Sequence, residues 1–228
     1  MDHVLHYAPD NASLIVRLTL EQGGIPYETR LVDRRAQAQR GAAYRALNPK
    51  GLIPTLETPE GPIFETGAIL LWLADRHGGL FPAPASPARG KALKWFFHLS
   101  NTMHPLARMM FYGETYVDAA CLPDFYRRSA EHFAQAATLL DGAVAEWSDP
   151  DAPGIADFYA AALMRWPALY PRDADRSWFD LARWPALARV AARVESLPAC
   201  RALQSAEGLG DTPFTAPRYP DPPEGSAL

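Results

Sequence analysis

The run from Asn48 to Leu56, NPKGLIPTL, together with Glu65-Thr66 ahead of the apolar segment GAILLWLADRH, constrains this chain more than any other feature. Pro54 stands directly before a short Thr-Leu-Glu stretch of strand character. Proline cannot donate to a ladder, so it belongs at a strand start, an edge or a bend. A cis bond between Ile53 and Pro54 would turn the chain sharply and leave the backbone N–H and C=O of Ile53 free to pair with a ligand. Glu65 and Thr66 would then sit at a helix N-terminus, where unpaired N–H groups favour a carboxylate. Together these features describe a pocket for the backbone of a small acidic peptide.

With those residues in view, the segment resembles the glutathione-binding half of the soluble glutathione S-transferase family. The resemblance extends upstream through VLHYAPDNASLIVRLTLEQGGIPYETRLVD and weakens after about residue 85. NPKGLIPTL with ETGAI is specific for the family but not for any one reaction. The resemblance implies a thioredoxin-like α/β N-terminal domain, an all-α C-terminal domain, glutathione as co-substrate and a homodimer. Trp72, Trp95 and Phe96 serve a dimer interface or a core equally well.

The pattern supports that order. His3–Tyr7 and Tyr27–Val32 read as strands, the second alternating. Between them, Asn11 or Ser13 caps a largely buried helix that Gly23-Gly24 ends. Residues 34–47 hold a short helix around Tyr44. Thr55–Glu57 and Pro62–Phe64 flank a Pro59-Glu60-Gly61 turn. The Gly- and Pro-rich stretch Gly78–Pro87 separates an expected domain over 1–78 from one over 88–228. Helices are expected over Pro87–Gly113 (roughly 40 Å long), Pro123–Trp147, Gly154–Tyr170 and Trp184–Pro198, with a short extension over Ala199–Ala206. From Gly208 an irregular, Pro-rich tail drapes over the surface. In GIADFYAAALMRW the family's helix start has Asp157 in place, but Gly154 stands where the capping hydroxyl belongs. That exchange costs a few tenths of a kcal/mol.

The chemistry of the family runs through the glutathione thiolate. A free thiol has a pKa near 8.5, so a hydroxyl or amide donor to sulfur and a nearby helix N-terminus stabilise the anion. The resemblance puts that donor at the end of the first strand or the start of the first helix. Tyr7, Asn11 and Ser13 are the candidates, with Ser13 leading and Asn11 next. The cysteine of bacterial cysteine-type members falls opposite Ala12, which closes that route. Each candidate also has a plain structural role, as a helix cap or a core aromatic.

For glutathione itself, the resemblance assigns the backbone of Ile53, ahead of Pro54, to the cysteinyl part in the manner of an added strand. Glu65 faces the γ-glutamyl amine, Thr66 its carboxylate, and Lys50 the glycyl carboxylate. A second, electrophilic or apolar substrate is expected between the domains. There His104, Arg108, Phe111 and Tyr112 share one helical face by their spacing of three and four.

Composition excludes several other classes. Among 228 residues the net charge is −4, which gives no nucleic-acid footprint. No stretch approaches a membrane span, and the N-terminal ten residues lack signal-peptide character. Cys121 and Cys200 form no CxxC, in keeping with a reducing cytoplasm. No metal-ligand spacing, GxSxG or phosphate-cradling glycine loop occurs. Two readings follow: a glutathione transferase whose thiolate attacks an electrophile, with isomerase, dehalogenase or peroxidase variants of the same chemistry, or a non-catalytic ligand-binding or partner-docking protein on that scaffold. A thiol-disulfide oxidoreductase is disfavoured because no cysteine lies near the first helix.

Overall fold

The computed structural model describes residues 3–228, so the first two residues of the expected 1–78 domain lie outside the described residues. Four strands form one mixed sheet in the order β2-β1-β3-β4. β1 (Val4–Tyr7) runs parallel to β2 (Glu28–Leu31) and antiparallel to β3 (Thr55–Thr58), which pairs with β4 (Gly61–Phe64) across a tight turn. A parallel pair needs a crossover, and α1 (Ser13–Gln22) supplies it. α2 (Ala42–Leu47) leads towards β3, and α3 (Thr66–His77) follows β4. This is a thioredoxin-like arrangement, with Pro62 on the outer strand, where its missing N–H removes no ladder bond. β2 is the opposite edge and three of its four residues are exposed, so the alternation along Tyr27–Val32 marks no buried face within the strand itself.

α1 departs from the expected capping. Its N-cap is Ala12, with no side-chain cap. Ser13 folds back instead: its hydroxyl donates to the Ala8 carbonyl at 3.1 Å and accepts from the Ala8 N–H at 3.3 Å. Tying the strand end to the helix start satisfies two buried backbone groups at once.

Residues 78–88 carry neither helix nor strand, and the rest is mostly helical. The long helix starts later than expected, as α4 (Arg89–His98), widens through a π-turn at Leu99–Met103 and continues as α5 (His104–Phe111). Pro105 lacks the N–H that the regular ladder needs at this point, and a wider turn accommodates the loss. α6 (Leu122–Gly142) and α7 (Ile155–Arg165) are shorter than their expected spans, and both close in 3₁₀ turns. α8 (Pro185–Ser196) and α9 (Cys200–Ala206) complete the helices.

α7 is buried over its whole length, and one continuous apolar core joins it to α1, α3 and α8. Gly154 has a packing reason. A Cβ there would stand 2.2 Å from the Leu80 carbonyl oxygen, and Ile155 N–H donates to that same oxygen at 3.0 Å. Asp157 still accepts from Gly154 N–H at 3.0 Å, while Ser148 and Arg193 supply its other partners. Trp95 and Phe96 are core residues; Trp72 is half-buried with Arg76 over its ring. The tail is irregular, as expected, yet it does more than drape: Leu209 and Phe214 are buried in the core. No helix among the described residues is long and apolar enough to cross a membrane.

Candidate functional site

The loop before β3 is held from behind. The Leu52 carbonyl accepts from Tyr44 Oη and Asn48 Nδ2, both at 2.7 Å, and Tyr44 Oη also contacts Thr55 Oγ1 at 2.9 Å. The Ile53-Pro54 bond is cis. Among the described residues, Ile53 N–H and C=O take part in no hydrogen bond within the chain and lie just outside the β1–β3 register. A strand-like edge one residue long is therefore open beside the start of α3.

Glu65, the residue before that helix, has φ 72° and ψ 115°. An L-residue is crowded there, at a cost of about 1–3 kcal/mol, and such outliers cluster at ligand sites. No side chain caps α3, so the N–H groups of its first turn keep their positive end free of a side-chain partner, and the Thr55–Phe64 pairing and the Lys50–Glu65 contact bring this helix start to the loop that carries Ile53. Thr66 is buried, while Glu65 and Lys50 are exposed and form an ion pair with each other. The two charges expected at opposite ends of a bound tripeptide thus meet each other.

The three candidate thiol partners meet very different fates. Ser13 is fully buried, its hydroxyl both donating to and accepting from Ala8. Tyr7 is 2% exposed; its hydroxyl donates to Glu224 from the tail, and the Arg17 guanidinium lies 4.5 Å from its ring centre. Burial first, and then Glu224, push the Tyr7 phenol far above its ordinary value. Asn11 alone keeps part of its side chain at the surface. Its Nδ2 donates to Pro9 O at 2.8 Å and to Ala227 O at 3.1 Å, and its Oδ1 accepts from Arg34 Nη1 at 2.6 Å. With Arg34 on the oxygen, the amide nitrogen is the face Asn11 presents to anything replacing Ala227.

Asp10, which no motif singled out, anchors this loop. At φ 53° it takes the left-handed conformation that aspartate tolerates. Its carboxylate is fully buried, bound bidentately by Arg165 at 2.8 and 3.0 Å and further by Trp166 Nε1 and Tyr170 Oη. Its N–H donates to Glu207 at 3.0 Å, and Glu207 also receives Arg17 at 2.9 Å. Burial pushes the Glu207 carboxyl up to about 7 in spite of Arg17. Arg165 also donates to the carbonyls of Pro213 and Arg218, which fixes the course of the tail.

α5 forms the opposite wall. His104 Nδ1 lies 2.7 Å from Tyr159 Oη, and burial, reinforced by Arg108, lowers the imidazole to about 4, so the ring is neutral at pH 7. The Glu65 charge opposes that shift only weakly. Arg108 lies 5.2 Å from the Tyr112 ring centre, and Tyr112 Oη accepts from Arg34 at 3.2 Å. Phe111 turns from this stripe to pack edge-on against Tyr170. Among the described residues no group of three or more His, Cys, Asp or Glu side chains could hold a metal ion. Both cysteines are free thiols; burial pushes Cys200 up to about 12, leaving it inert near neutrality.

Comparison with known proteins agrees with this geometry. Residues 12–76 match the family model described as glutathione S-transferase, N-terminal domain. The chain is 30% identical over 164 residues to glutathione S-transferase GstB of Escherichia coli K12, covering 65% of this chain and 74% of that protein. It is 29% identical over 226 residues to maleylacetoacetate isomerase of Pseudomonas aeruginosa, covering 91% and 97% of the two chains. A sphingomonad glutathione S-transferase solved in complex with glutathione superposes with a TM-score of 0.73 at 28% identity, over 91% of this chain and all (100%) of that one. A Sulfitobacter glutathione transferase homologue shares the fold with a TM-score of 0.76 at 22% identity, over 89% and 97%. With an open backbone edge at Ile53, an uncapped α3 beside it and a relative at this identity along most of its length, the chain belongs to the glutathione S-transferase family.

Proposed function

We propose that this protein is a glutathione-dependent transferase in which the thiolate of bound glutathione attacks an electrophilic small molecule. The observation that carries the reading is the open Ile53 backbone set against the uncapped N-terminus of α3. Ile53 pairs with the cysteinyl unit as an added strand. The N–H groups at Thr66 receive the γ-glutamyl carboxylate, Glu65 its amine, and Lys50 the glycyl carboxylate; the Lys50–Glu65 pair opens as the ligand supplies both counter-charges. Residues 1–78 form the glutathione-binding domain and 88–228 the helical one, with the second substrate against His104, Arg108 and Tyr112. The chain acts as a cytoplasmic homodimer, for which the half-buried Trp72 remains available.

Asn11 is the group best placed to hold the sulfur. Its Nδ2 donates to a neutral tail carbonyl that a ligand can replace, whereas Ser13 gives its hydrogen to the buried Ala8 carbonyl and Tyr7 gives its hydrogen to the charged Glu224 carboxylate of the tail, a stronger acceptor. A hydrogen bond contributes about 0.5–1.5 kcal/mol, enough to move a thiol by about one pKa unit at most. The remainder comes from the N-terminal end of α1.

The test is the thiolate absorbance of bound glutathione as a function of pH. Asn11→Ala raises the apparent thiol pKa by up to about one unit, while Ser13→Ala and Tyr7→Phe leave it in place. If Asn11→Ala shifts nothing, Asn11 is not the partner. If the wild-type protein binds glutathione with an unperturbed thiol, the scaffold binds without activating, and the non-catalytic reading takes its place.

A further inference from the structure

The buried arginines among the described residues carry carboxylates, Arg165 holding Asp10 and Arg17 holding Glu207, and the half-buried Arg193 holds Asp157. Two half-buried arginines at the cleft do not. Arg34 comes from the loop after β2 and donates only to neutral oxygens, Asn11 Oδ1 and Tyr112 Oη. Its Nε is buried and has no partner among the described residues. Arg108 comes from α5, and among the described residues its close partner is the Tyr112 ring. The two guanidiniums lie 6.0 and 5.2 Å from the centre of that ring.

The carboxylates nearest the cleft are already engaged. Glu65 pairs with Lys50 at the α3 end, and Glu224 accepts from Tyr7 behind the strand. Partial burial of two cations without a counter-charge opposes folding, and the cost is recovered only when an anion arrives. A guanidinium whose charge meets only neutral oxygens or a ring face keeps N–H groups suited to a carboxylate, and both of these lie near the same aromatic ring.

We propose that Arg34 and Arg108, with Tyr112 between them, recognise a carboxylate on the second substrate. The substrate class is then an electrophile that carries a carboxylate, and not a purely apolar one. This rests on the glutathione-transferase reading and gives its second site a charge preference.

The experiment is calorimetry with three probes: S-methylglutathione, S-(2-carboxyethyl)glutathione and its uncharged isostere S-(2-carbamoylethyl)glutathione. The readout is the ratio of carboxylate to amide affinity. The wild-type ratio is expected at roughly tenfold or more, as for a charged hydrogen bond. It falls towards one in Arg34→Met and in Arg108→Met, and it shrinks with added salt. Arg108 makes no side-chain hydrogen bond or ion pair among the described residues, so Arg108→Met keeps the test decisive if Arg34→Met fails to fold. A wild-type ratio near one, with S-methylglutathione bound, overturns the anionic preference and leaves the glutathione site intact. Failure of S-methylglutathione to bind overturns the glutathione reading itself, and the inference with it.

Discussion

Replacing Asp10 by Asn tests whether the buried network behind the β1–α1 loop holds the site in place. The Asp10 carboxylate and the Arg165 guanidinium are both fully buried, joined by two hydrogen bonds, with Trp166 and Tyr170 donating to the same two oxygens. Asparagine keeps the volume but removes the charge and one acceptor, and so strands the Arg165 cation. Breaking a buried pair from one side costs about 3–5 kcal/mol. For a chain of this size each kcal/mol moves Tm by about 2–4 °C, so the midpoint should fall by roughly 6–20 °C. Thermal and urea unfolding followed by circular dichroism measure this directly. The double variant Asp10→Asn/Arg165→Met removes the stranded charge and should recover part of the loss, a coupling that independent sites do not show. Glutathione affinity should fall with Asp10→Asn as well, because Asn11 loses its anchored neighbour. A Tm drop under about 2 °C, or additive single and double variants, would refute the reasoning.

Three further outcomes are expected. His104 titrates at about 4 in the folded protein, below its ordinary value of 6.5, so the unfolded chain takes up the proton first as pH falls. Stability should therefore be full above pH 6.5 and decline by about 3 kcal/mol towards pH 4; His104→Gln should flatten that decline in urea midpoints measured across the range. Gly154→Ser, which restores the family's capping hydroxyl, should destabilise the fold by about 1–3 kcal/mol, because the Leu80 carbonyl occupies the space a Cβ needs; a higher urea midpoint would show that the backbone yields. Truncation after Pro222 removes Glu224 and Ala227, so the Tyr7 phenol should titrate lower, seen by ultraviolet absorbance, and Asn11 should gain a free N–H; an unchanged phenol titration would mean that burial alone sets Tyr7.

Much of the candidate site's backbone was legible because its signals are local. NPKGLIPTL places a cis X-Pro bond, the strand after it and the residue before it within a few positions. Element ends were less legible. Ser13 could be read as a cap or as the leading thiol partner, since its use by Ala8 depends on how tightly β1 turns into α1. Gly154 looked like a weakened cap because Leu80, its reason, lies far upstream. The tail looked superficial because irregular, Pro-rich sequence gives no periodic sign of burial, yet Phe214 reaches the core.

The sequence by itself determined the family, the sheet-and-helix order and the groups that can pair with a peptide backbone, because propensity, proline geometry and helix-terminus chemistry act over a turn or two of chain. Only the tertiary structure decided how deeply each candidate is buried and what it pairs with. Asp10 meets Arg165 across 155 positions and Tyr7 meets Glu224 across 217, and Arg34 reaches Tyr112 across 78. Burial and charge pairing at such separations depend on how whole elements pack, and no local pattern encodes them.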